Sequence, residues 1–445
     1  MINQILDKLK DKNVAILGFG REGKSTYKLM RKYLTNQVIT IIDQKDFELD
    51  DDKVVKVTGE GYLDNLDKYD LIIKTPGISL KDIDIGKFKD KITSQLELLL
   101  EVNSKNIIGI TGTKGKSTTS SLTYEVLKDQ LGDVYLLGNI GTPVLDNIED
   151  YKEDTKLVIE MSSHQLEFIK FSPHIAVILN LFQDHLDHAG SLEHYHQNKM
   201  NIFKYQNNND YYIYASDNDY LRERVKEYDL KGIKYTVRFD DLEKDGNYTR
   251  IVDKDVFIND ELVYHDGERK IIGDHNLKNI MFVLTIAKIM NLDLDRAKEV
   301  IKNFNGLKYR MELIGKYHDI KFYNDTIATI PDATISAINA IGDVDTLIIG
   351  GLDRGIDYSS FIEYLKNSNI PNIICMPTTG NFIGKELEND KNIIYVKTLE
   401  EAYAESLKVT KKDKSCLLSP AAASYEFFKN FEEKGAAFEE IVKNN

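Results

Sequence analysis

The sequence has little cysteine, little proline and no long hydrophobic run. Its two cysteines, Cys375 and Cys416, are too few for a disulfide framework or a four-thiolate metal site. Seven prolines in 445 residues form no Pro-rich linker. No apolar run approaches the ~18 residues of a membrane span. The N-terminal segment MINQILDKLKDKN lacks the apolar core of a signal peptide. We therefore expect a reduced, cytoplasmic protein without a membrane partner.

Basic residues are also outnumbered by acidic ones. Lys and Arg number 58 against 72 Asp and Glu, which gives a net charge of −14. The resulting field repels nucleic acid and anionic membranes, so neither is an expected partner. A phosphorylated small molecule stays compatible with this charge, because a local pocket and Mg²⁺ can override the mean field. The length favours two to four domains, with three as the natural number.

Short apolar runs alternate with amphipathic stretches, which is typical of parallel sheets covered by helices. The pattern predicts an α/β fold in three blocks, residues 1–93, 94–306 and 307–445. Within the second block, Tyr211–Asp266 is polar and rich in Tyr and Asp, and we expect an excursion of short antiparallel strands there.

A glycine-rich turn follows the first predicted strand, Val14–Leu17. Gly18, Gly20 and Gly23 open a helix, and Asp43 comes twenty residues after the last of them. This is the dinucleotide-binding pattern in its expected context, with backbone N–H groups facing a diphosphate. At this point NAD and any other diphosphate ligand remain open.

A second glycine-rich segment, Thr111–Thr118, predicts a phosphate loop between a strand and a helix. Lys116 would reach the outer phosphate oxygens, and the Ser117 hydroxyl would face Mg²⁺. The usual pattern has glycine at position 110, where this chain has Ile110. Glu160 ends the buried strand downstream and is a candidate second Mg²⁺ ligand, and His185 is a candidate metal ligand or proton carrier.

Six segments in one order closely resemble the Mur ligases of peptidoglycan synthesis. They are TGTKGKSTT (Thr111–Thr119), GNIGTP (Gly138–Pro143), EMSSHQLE (Glu160–Glu167), NLFQDHLDHAGSLEHYHQNK (Asn180–Lys199), GDHNLKN (Gly273–Asn279) and LLSPAAASYEFFKNFEEKG (Leu417–Gly435). The family has a phosphate loop of the TGTxGK[ST] form, so Ile110 is no anomaly within it.

The resemblance implies an N-terminal Rossmann-like domain for the UDP part of the substrate, a central P-loop ATPase domain and a C-terminal Rossmann-like domain for the amino acid. It implies an amide ligase that adds glutamate, D-glutamate by default, to UDP-N-acetylmuramoyl-L-alanine. ATP would phosphorylate the alanine carboxylate, and the glutamate amine would attack the acyl phosphate. The implied protein is a monomer whose partners are these small molecules.

The resemblance also implies roles for individual residues. Lys116, Glu160, His185 and Lys199 would be catalytic, and Ser117, Glu160, His185 and a carbamylated Lys199 would hold two Mg²⁺ ions. ATP would contact Gly112, Thr113, Lys114, Gly115, Lys116, Ser117, Thr118, Asn276, Asn279, Arg310 and Asp325. The UDP-sugar would contact Gly18, Phe19, Gly20, Arg21, Asp43, Gln44, Asn139, Ser162 and Gln165, and glutamate would contact Thr329, Arg354, Ser424 and Phe431.

The chain departs from the family pattern on the glutamate side. Ile327 stands where relatives have lysine, and Arg354 replaces another lysine, although an arginine can still bind a carboxylate. L-glutamate therefore remains an alternative acceptor.

Three other functions are alternatives, and each leaves part of the pattern unexplained. A folylpolyglutamate synthase would lack the N-terminal glycine-turn domain. An NAD-dependent oxidoreductase would leave Lys116, Glu160 and Lys199 unexplained, and a non-catalytic nucleotide switch would leave Glu160, His185 and Lys199 idle.

Overall fold

The computed structural model describes residues 1–182, 192–239, 246–267, 269–425 and 427–444. It confirms the α/β class, with three separate sheets flanked by helices. The chain divides into two compact units. The first unit consists of Met1–Glu268 with His275–Lys302, and the second of Arg269–Asp274 with Asn303–Asn445. Two of the three sheets lie in the first unit and the third lies in the second.

The first sheet has five parallel strands in the order β3-β2-β1-β4-β5. Strand β1 is buried along its whole length, as expected for a parallel strand covered on both faces. The strand order reverses between β1 and β4, and ligands of open α/β sheets bind at the carboxyl end of such a point. The elements are α1 Ile2–Leu9, β1 Val14–Leu17, α2 Arg21–Tyr33, β2 Ile39–Asp43, β3 Val54–Thr58, β4 Leu71–Lys74, β5 Ile92–Thr93 and α3 Gln95–Asn103, with 3₁₀ turns at Leu66–Lys68, Lys89–Lys91 and Ser104–Asn106.

The second sheet has nine strands in the order β14-β13-β12-β11-β10-β9-β6-β8-β7. Its strands are β6 Ile107–Thr111, β7 Val134–Gly138, β8 Lys156–Glu160, β9 Ile175–Ile178, β10 Tyr211–Ala215, β11 Ile233–Arg238, β12 Asn247–Val252, β13 Asp255–Ile258 and β14 Glu261–His265. Its helices are α4 Lys116–Leu131, α5 Leu192–Lys204, α6 Asp219–Lys226, α7 Asp274–Ile289 and α8 Leu294–Asn303.

The predicted antiparallel excursion over Tyr211–Asp266 is wrong for its first half. Strands β10, β11 and β12 extend the sheet in parallel, and only β12, β13 and β14 pair antiparallel. The tyrosines explain the error, because Tyr212 and Tyr214 are buried in β10 and pack like apolar residues. The polar composition of the segment therefore concealed a buried parallel strand.

The third sheet has the order β15-β16-β20-β17-β18-β19 and is parallel except for β15. Alternate residues of β17 enter separate cores, with Leu347 and Ile349 on one face and Ile348 on the other. The elements are β15 Glu312–Tyr317, β16 Ile320–Asn324, α9 Pro331–Ile341, β17 Val344–Ile349, α10 Ser359–Asn367, β18 Asn372–Cys375, α11 Thr379–Leu387, β19 Asn392–Tyr395, α12 Leu399–Val409, β20 Ser415–Leu418 and α13 Phe431–Asn444.

Both cysteines are unpaired and buried in the strands of this sheet. Over the described part of the chain, no helix combines the length and the hydropathy needed to cross a bilayer.

Candidate active site

The phosphate loop, Thr111–Thr118, connects the buried strand β6 to helix α4. Gly115 has a positive φ of 86°, which glycine adopts without strain. A Cβ at this position would lie 2.6 Å from Oδ1 of Asn279. The loop therefore needs glycine here both for its backbone conformation and for the close approach of helix α7.

Lys116 is the first residue of α4, and its side chain folds back over the loop. Its Nζ donates to the carbonyl oxygens of Gly112, at 2.9 Å, and Thr113, at 3.0 Å. The first intrahelical bond runs from the N–H of Thr119 to the carbonyl of Gly115. The N–H groups of the first helical turn have no acceptor within their own helix, which makes this end of α4 suited to an anion.

Glu160 lies beside this loop because β8 pairs with β6, with Ile110 opposite Glu160. Its side chain is 1% exposed. Oε1 accepts a hydrogen bond from Nδ2 of Asn139 at 2.8 Å, whereas Oε2 has no hydrogen-bond partner among the described residues. A buried carboxylate oxygen in this state fits a divalent cation, for which oxygen ligands are preferred.

Lys199 is buried on helix α5, and the fold brings it to the same loop. Its Nζ lies 3.1 Å from the carbonyl oxygen of Gly112, the oxygen that Lys116 also contacts. The ammonium group also lies 4.6 Å from the centre of the Tyr195 ring. Two lysine side chains thus share one carbonyl oxygen at the bend of the loop.

Asn276 and Asn279 lie on α7 and are both buried. Nδ2 of Asn279 donates to Oδ1 of Asn276 at 3.2 Å, and Asn279 packs against Gly115.

The predicted metal ligand His185 lies outside the described residues. Within the described residues, no three His, Cys, Asp or Glu side chains meet in a metal-binding group.

The N-terminal glycine turn is braced by Asp43. Oδ2 of Asp43 accepts the N–H of Phe19 at 2.7 Å, and Oδ1 accepts the N–H of Lys45 at 3.0 Å. Gly18 has a φ of 96°, and a Cβ there would lie 2.0 Å from Oγ1 of Thr75. The β1 and β4 ends therefore touch at the point where the strand order reverses.

Further predicted UDP-sugar residues lie between the first two sheets. Arg21 donates to the carbonyl of Gly141 at 3.0 Å. Gln165 accepts the N–H of Ser162 at 2.9 Å and donates to Glu22 at 2.7 Å. Gln44 is exposed at the end of β2.

In the second compact unit, Asp325 is buried at the end of β16. It accepts hydrogen bonds from Oγ of Ser419, at 2.8 Å, and from the N–H of Met311, at 3.1 Å. Burial raises the pKa of Asp325 to about 7, despite these bonds and the nearby Arg310. Nε of Arg310 is buried without a partner among the described residues.

The predicted glutamate residues share the carboxyl edge of β16, β20 and β17, which are neighbours in the third sheet. Arg354 is exposed in the turn after β17. Oγ of Ser424 is buried without a partner among the described residues. Thr329 and Phe431 are half-buried, with Phe431 starting α13.

Comparison with known proteins matches residues 110–287 to the family described as Mur ligase middle domain and residues 309–422 to the Mur ligase, glutamate ligase domain. The chain is 34% identical to the UDP-N-acetylmuramoylalanine–D-glutamate ligase of Acetivibrio thermocellus over 474 aligned positions, which cover 100% of this chain and 98% of that one. The enzyme of the same name from Clostridium botulinum strain Kyoto is 34% identical, covering 98% and 97% of the two chains. The chain belongs to the Mur ligase family.

Solved structures place the fold of this Mur ligase among those of its family. The MurF ligase of Thermotoga maritima, solved in complex with ADP, aligns with a TM-score of 0.58 at 18% identity and covers 97% of this chain and 95% of its own. The MurC ligase from the same organism aligns with a TM-score of 0.57 at 18% identity, covering 97% and 99%. At this identity the likeness concerns the fold alone.

Four polar residues near the predicted site residues were not among the predictions: Asn180, Lys74, Glu167 and Glu22. Oδ1 of Asn180 accepts the N–H of Lys114 in the phosphate loop at 2.8 Å. Lys74, at the end of β4, is buried and forms an ion pair with Glu167 at 3.2 Å. Burial lowers the pKa of Lys74, against the opposing effect of Glu167, and burial raises the pKa of Glu22. Glu22 lies inside the predicted glycine-turn motif, and that position was the available signal for it. Lys74 precedes Thr75-Pro76-Gly77, a turn-forming sequence that was not among the predicted motifs.

Proposed function

We propose that the chain is an ATP-dependent ligase that joins D-glutamate to UDP-N-acetylmuramoyl-L-alanine in peptidoglycan precursor synthesis. The observation that carries this proposal is the full-length relationship to two D-glutamate ligases. The site described above supports it, because a phosphate loop with a buried carboxylate beside it is what phosphoryl transfer from ATP requires.

In the proposed reaction the alanine carboxylate attacks the γ-phosphorus of ATP, and the bond to the β,γ-bridging oxygen breaks, which releases ADP. The neutral amine of glutamate then attacks the carbonyl carbon of the acyl phosphate. The tetrahedral adduct loses inorganic phosphate, and the amine loses a proton, to leave the amide. Lys116 is positioned to offset the charge that accumulates on the transferring phosphoryl group.

Two Mg²⁺ ions belong to the proposal. Ser117, Glu160, His185 and a carbamate on Lys199 would hold them, and the ions would screen the repulsion between the carboxylate and ATP. The orphaned Oε2 of Glu160 supports this assignment. The position of Lys199 supports the carbamate, because two ammonium groups on the Gly112 carbonyl repel each other, whereas a carbamate reverses one of the charges.

The remaining assignments divide the substrates among three domains, 1–93, 94–306 and 307–445. We assign the UDP-sugar to the carboxyl edge of the first sheet together with Asn139, Ser162 and Gln165. Adenosine is assigned to Asn276, Asn279, Arg310 and Asp325, and glutamate to Thr329, Arg354, Ser424 and Phe431. We further propose a cytoplasmic monomer whose partners are these small molecules.

The decisive experiment measures phosphate release from Mg-ATP with UDP-N-acetylmuramoyl-L-alanine, supplying D-glutamate and L-glutamate separately. We expect turnover with D-glutamate and a product heavier by one glutamate residue. Turnover with L-glutamate alone would overturn the assigned stereochemistry, whereas no turnover with either would overturn the ligase assignment.

A further inference from the structure

Asn180 follows strand β9, and its side chain reaches across to the phosphate loop. Its Oδ1 accepts the N–H of Lys114 at 2.8 Å and the N–H of Thr113 at 3.1 Å. Its Nδ2 donates to the carbonyl oxygen of Lys114 at 2.9 Å. One amide side chain therefore makes three hydrogen bonds to two consecutive loop residues.

The same segment holds Thr113 in two further ways. The Thr113 N–H also lies 3.1 Å from the carbonyl oxygen of Asn180. The Thr113 hydroxyl donates to the carbonyl of Phe182 at 3.3 Å and accepts the N–H of Phe182 at 3.0 Å. This first half of the loop is thus held by hydrogen bonds to Asn180 and Phe182.

The second half of the loop differs. Ser117 and Thr118 lie in the first turn of α4, where N–H groups have no acceptor within the helix. Their N–H groups are oriented along the helix axis toward the end where an anion is stabilised. The two halves of the loop therefore offer different groups to a phosphate.

We infer that Asn180 is a positioning residue that divides the phosphate loop into a scaffold half and a binding half. Its amide oxygen takes the N–H groups of Thr113 and Lys114, so the nucleotide phosphates are bound by the N–H groups of the first turn of α4 and by the side chain of Lys116. This inference rests on the nucleotide-binding part of the proposed function and not on the identity of the acceptor amino acid.

Amide hydrogen exchange at residue resolution tests this division in the wild-type chain, with Mg-ADP as the probe. We expect slow exchange at Thr113 and Lys114 before nucleotide is added, and no further slowing after it. Exchange at Ser117 and Thr118 should slow on addition of Mg-ADP. Fast exchange at Thr113 and Lys114 that slows only with Mg-ADP would overturn the inference, because those groups would then belong to the nucleotide.

Variants test the contribution of the side chain itself. Asn180→Ala should speed exchange at Thr113 and Lys114 and raise the Kd for Mg-ADP by on the order of tenfold, since a loose loop must be ordered on binding. Asn106→Ala is the matched control. Asn106 also makes three side-chain hydrogen bonds, to Asn103, Glu153 and Lys156, but it lies just before the amino end of β6.

We expect Asn106→Ala to lower the unfolding midpoint while leaving the Kd for Mg-ADP within twofold of wild type. If Asn180→Ala binds Mg-ADP with the same Kd as Asn106→Ala, then Asn180 is not a positioning residue. Mg-ADP binding is measured without UDP-sugar or glutamate, so a failure of the ligase assay and a failure of this inference give different results. Wild type that binds no Mg-ADP would overturn the nucleotide site, and the inference with it.

Discussion

Lys116 is the side chain whose removal tests the phosphate site most directly. Lys116→Ala removes the ammonium charge that is proposed to act on the transferring phosphoryl group. We therefore expect turnover to fall by on the order of 10²–10³-fold. Folding should survive, because the side chain lies over a loop and not in a core. Phosphate release is the measurement, and Lys128→Ala, in the last turn of the same helix, is the control. Near-normal phosphate release in Lys116→Ala would make the loop assignment wrong.

Lys199 carries the prediction of a carbamate. Lys199→Ala should be nearly inactive, and formate or acetate should restore part of the activity, because a small carboxylate can occupy the space of the lost carbamate. The carbon-13 NMR spectrum of the folded wild type in labelled bicarbonate should show a carbamate carbon that the spectrum of Lys199→Ala lacks. Lys204→Ala, an exposed position on the same helix, serves as the control. Full activity of Lys199→Ala without added carboxylate would remove the residue from the site.

Asp325 predicts a pH dependence of stability. Its pKa is raised to about 7 in the folded chain, so between the unfolded value near 4 and pH 7 the folded state binds the additional proton. Stability from this group is therefore greatest at low pH and falls as pH rises toward 7. Asp325→Asn should reduce this pH dependence, as measured from the unfolding midpoint at each pH. Between pH 4.5 and 7.5 the free energy of unfolding of the variant should fall by less than that of the wild type, with a difference on the order of a few kcal/mol.

The control for Asp325 is Asp332→Asn, at an exposed position in the first turn of α9. We expect this variant to keep the wild-type pH profile. Equal flattening in both variants would show that the pH dependence arises from general charge and not from the buried carboxyl group.

Among elements, the ion pair between the buried Lys74 and the half-buried Glu167 joins β4 of the first sheet to the segment after β8 of the second. The two side chains are 3% and 15% exposed. Glu167→Gln removes the ion-pair partner of the buried Lys74 ammonium and leaves only the more distant charge of Glu22 to offset it. The variant should therefore destabilise the first compact unit by on the order of a few kcal/mol. The double variant Lys74→Met with Glu167→Gln should recover part of that loss.

A double-mutant cycle measured by chemical denaturation checks this interaction. We expect a coupling energy of about 1–3 kcal/mol between the two positions. Additive effects would mean that each side chain acts through other neighbours. The pair of the exposed Lys408 and the half-buried Glu405 on α12 is the comparison, for which a coupling below about 1 kcal/mol is expected.

For the whole molecule, the proposed substrate sites fall in different compact units, with the UDP-sugar residues in the first and the glutamate residues in the second. Arg354 is exposed in the turn after β17, and the buried hydroxyl of Ser424 lies in the segment after β20, the neighbouring strand. A glutamate carboxylate requires such donors. Arg354→Ala should raise the KM for glutamate at least tenfold and leave the KM for the UDP-sugar nearly unchanged. Arg354→Lys should restore part of the affinity. An equal rise in both KM values would indicate a role other than amino acid recognition.

The sequence was sufficient for the features that depend on local pattern. Phosphate-loop glycines, the alternation of strands and helices, and the family motifs are read from neighbouring residues, because turn conformation and strand burial are set within a few residues. The first predicted strand, Val14–Leu17, coincides with the observed β1. The error at β10 arose where tyrosine burial could not be seen from composition.

Contacts around the loop were decided by the tertiary structure. Asn180 and Thr113 are 67 positions apart in the sequence, and they meet because β9 lies next to β6. Asn139 was expected at the UDP-sugar, and the pairing of β7 with β8 brings its amide to Glu160. Strand order is fixed by the summed packing of the whole sheet, not by any local segment. The sequence therefore determined which groups are available for chemistry, and only the fold determined which of them hold the loop and which are free to bind its ligand.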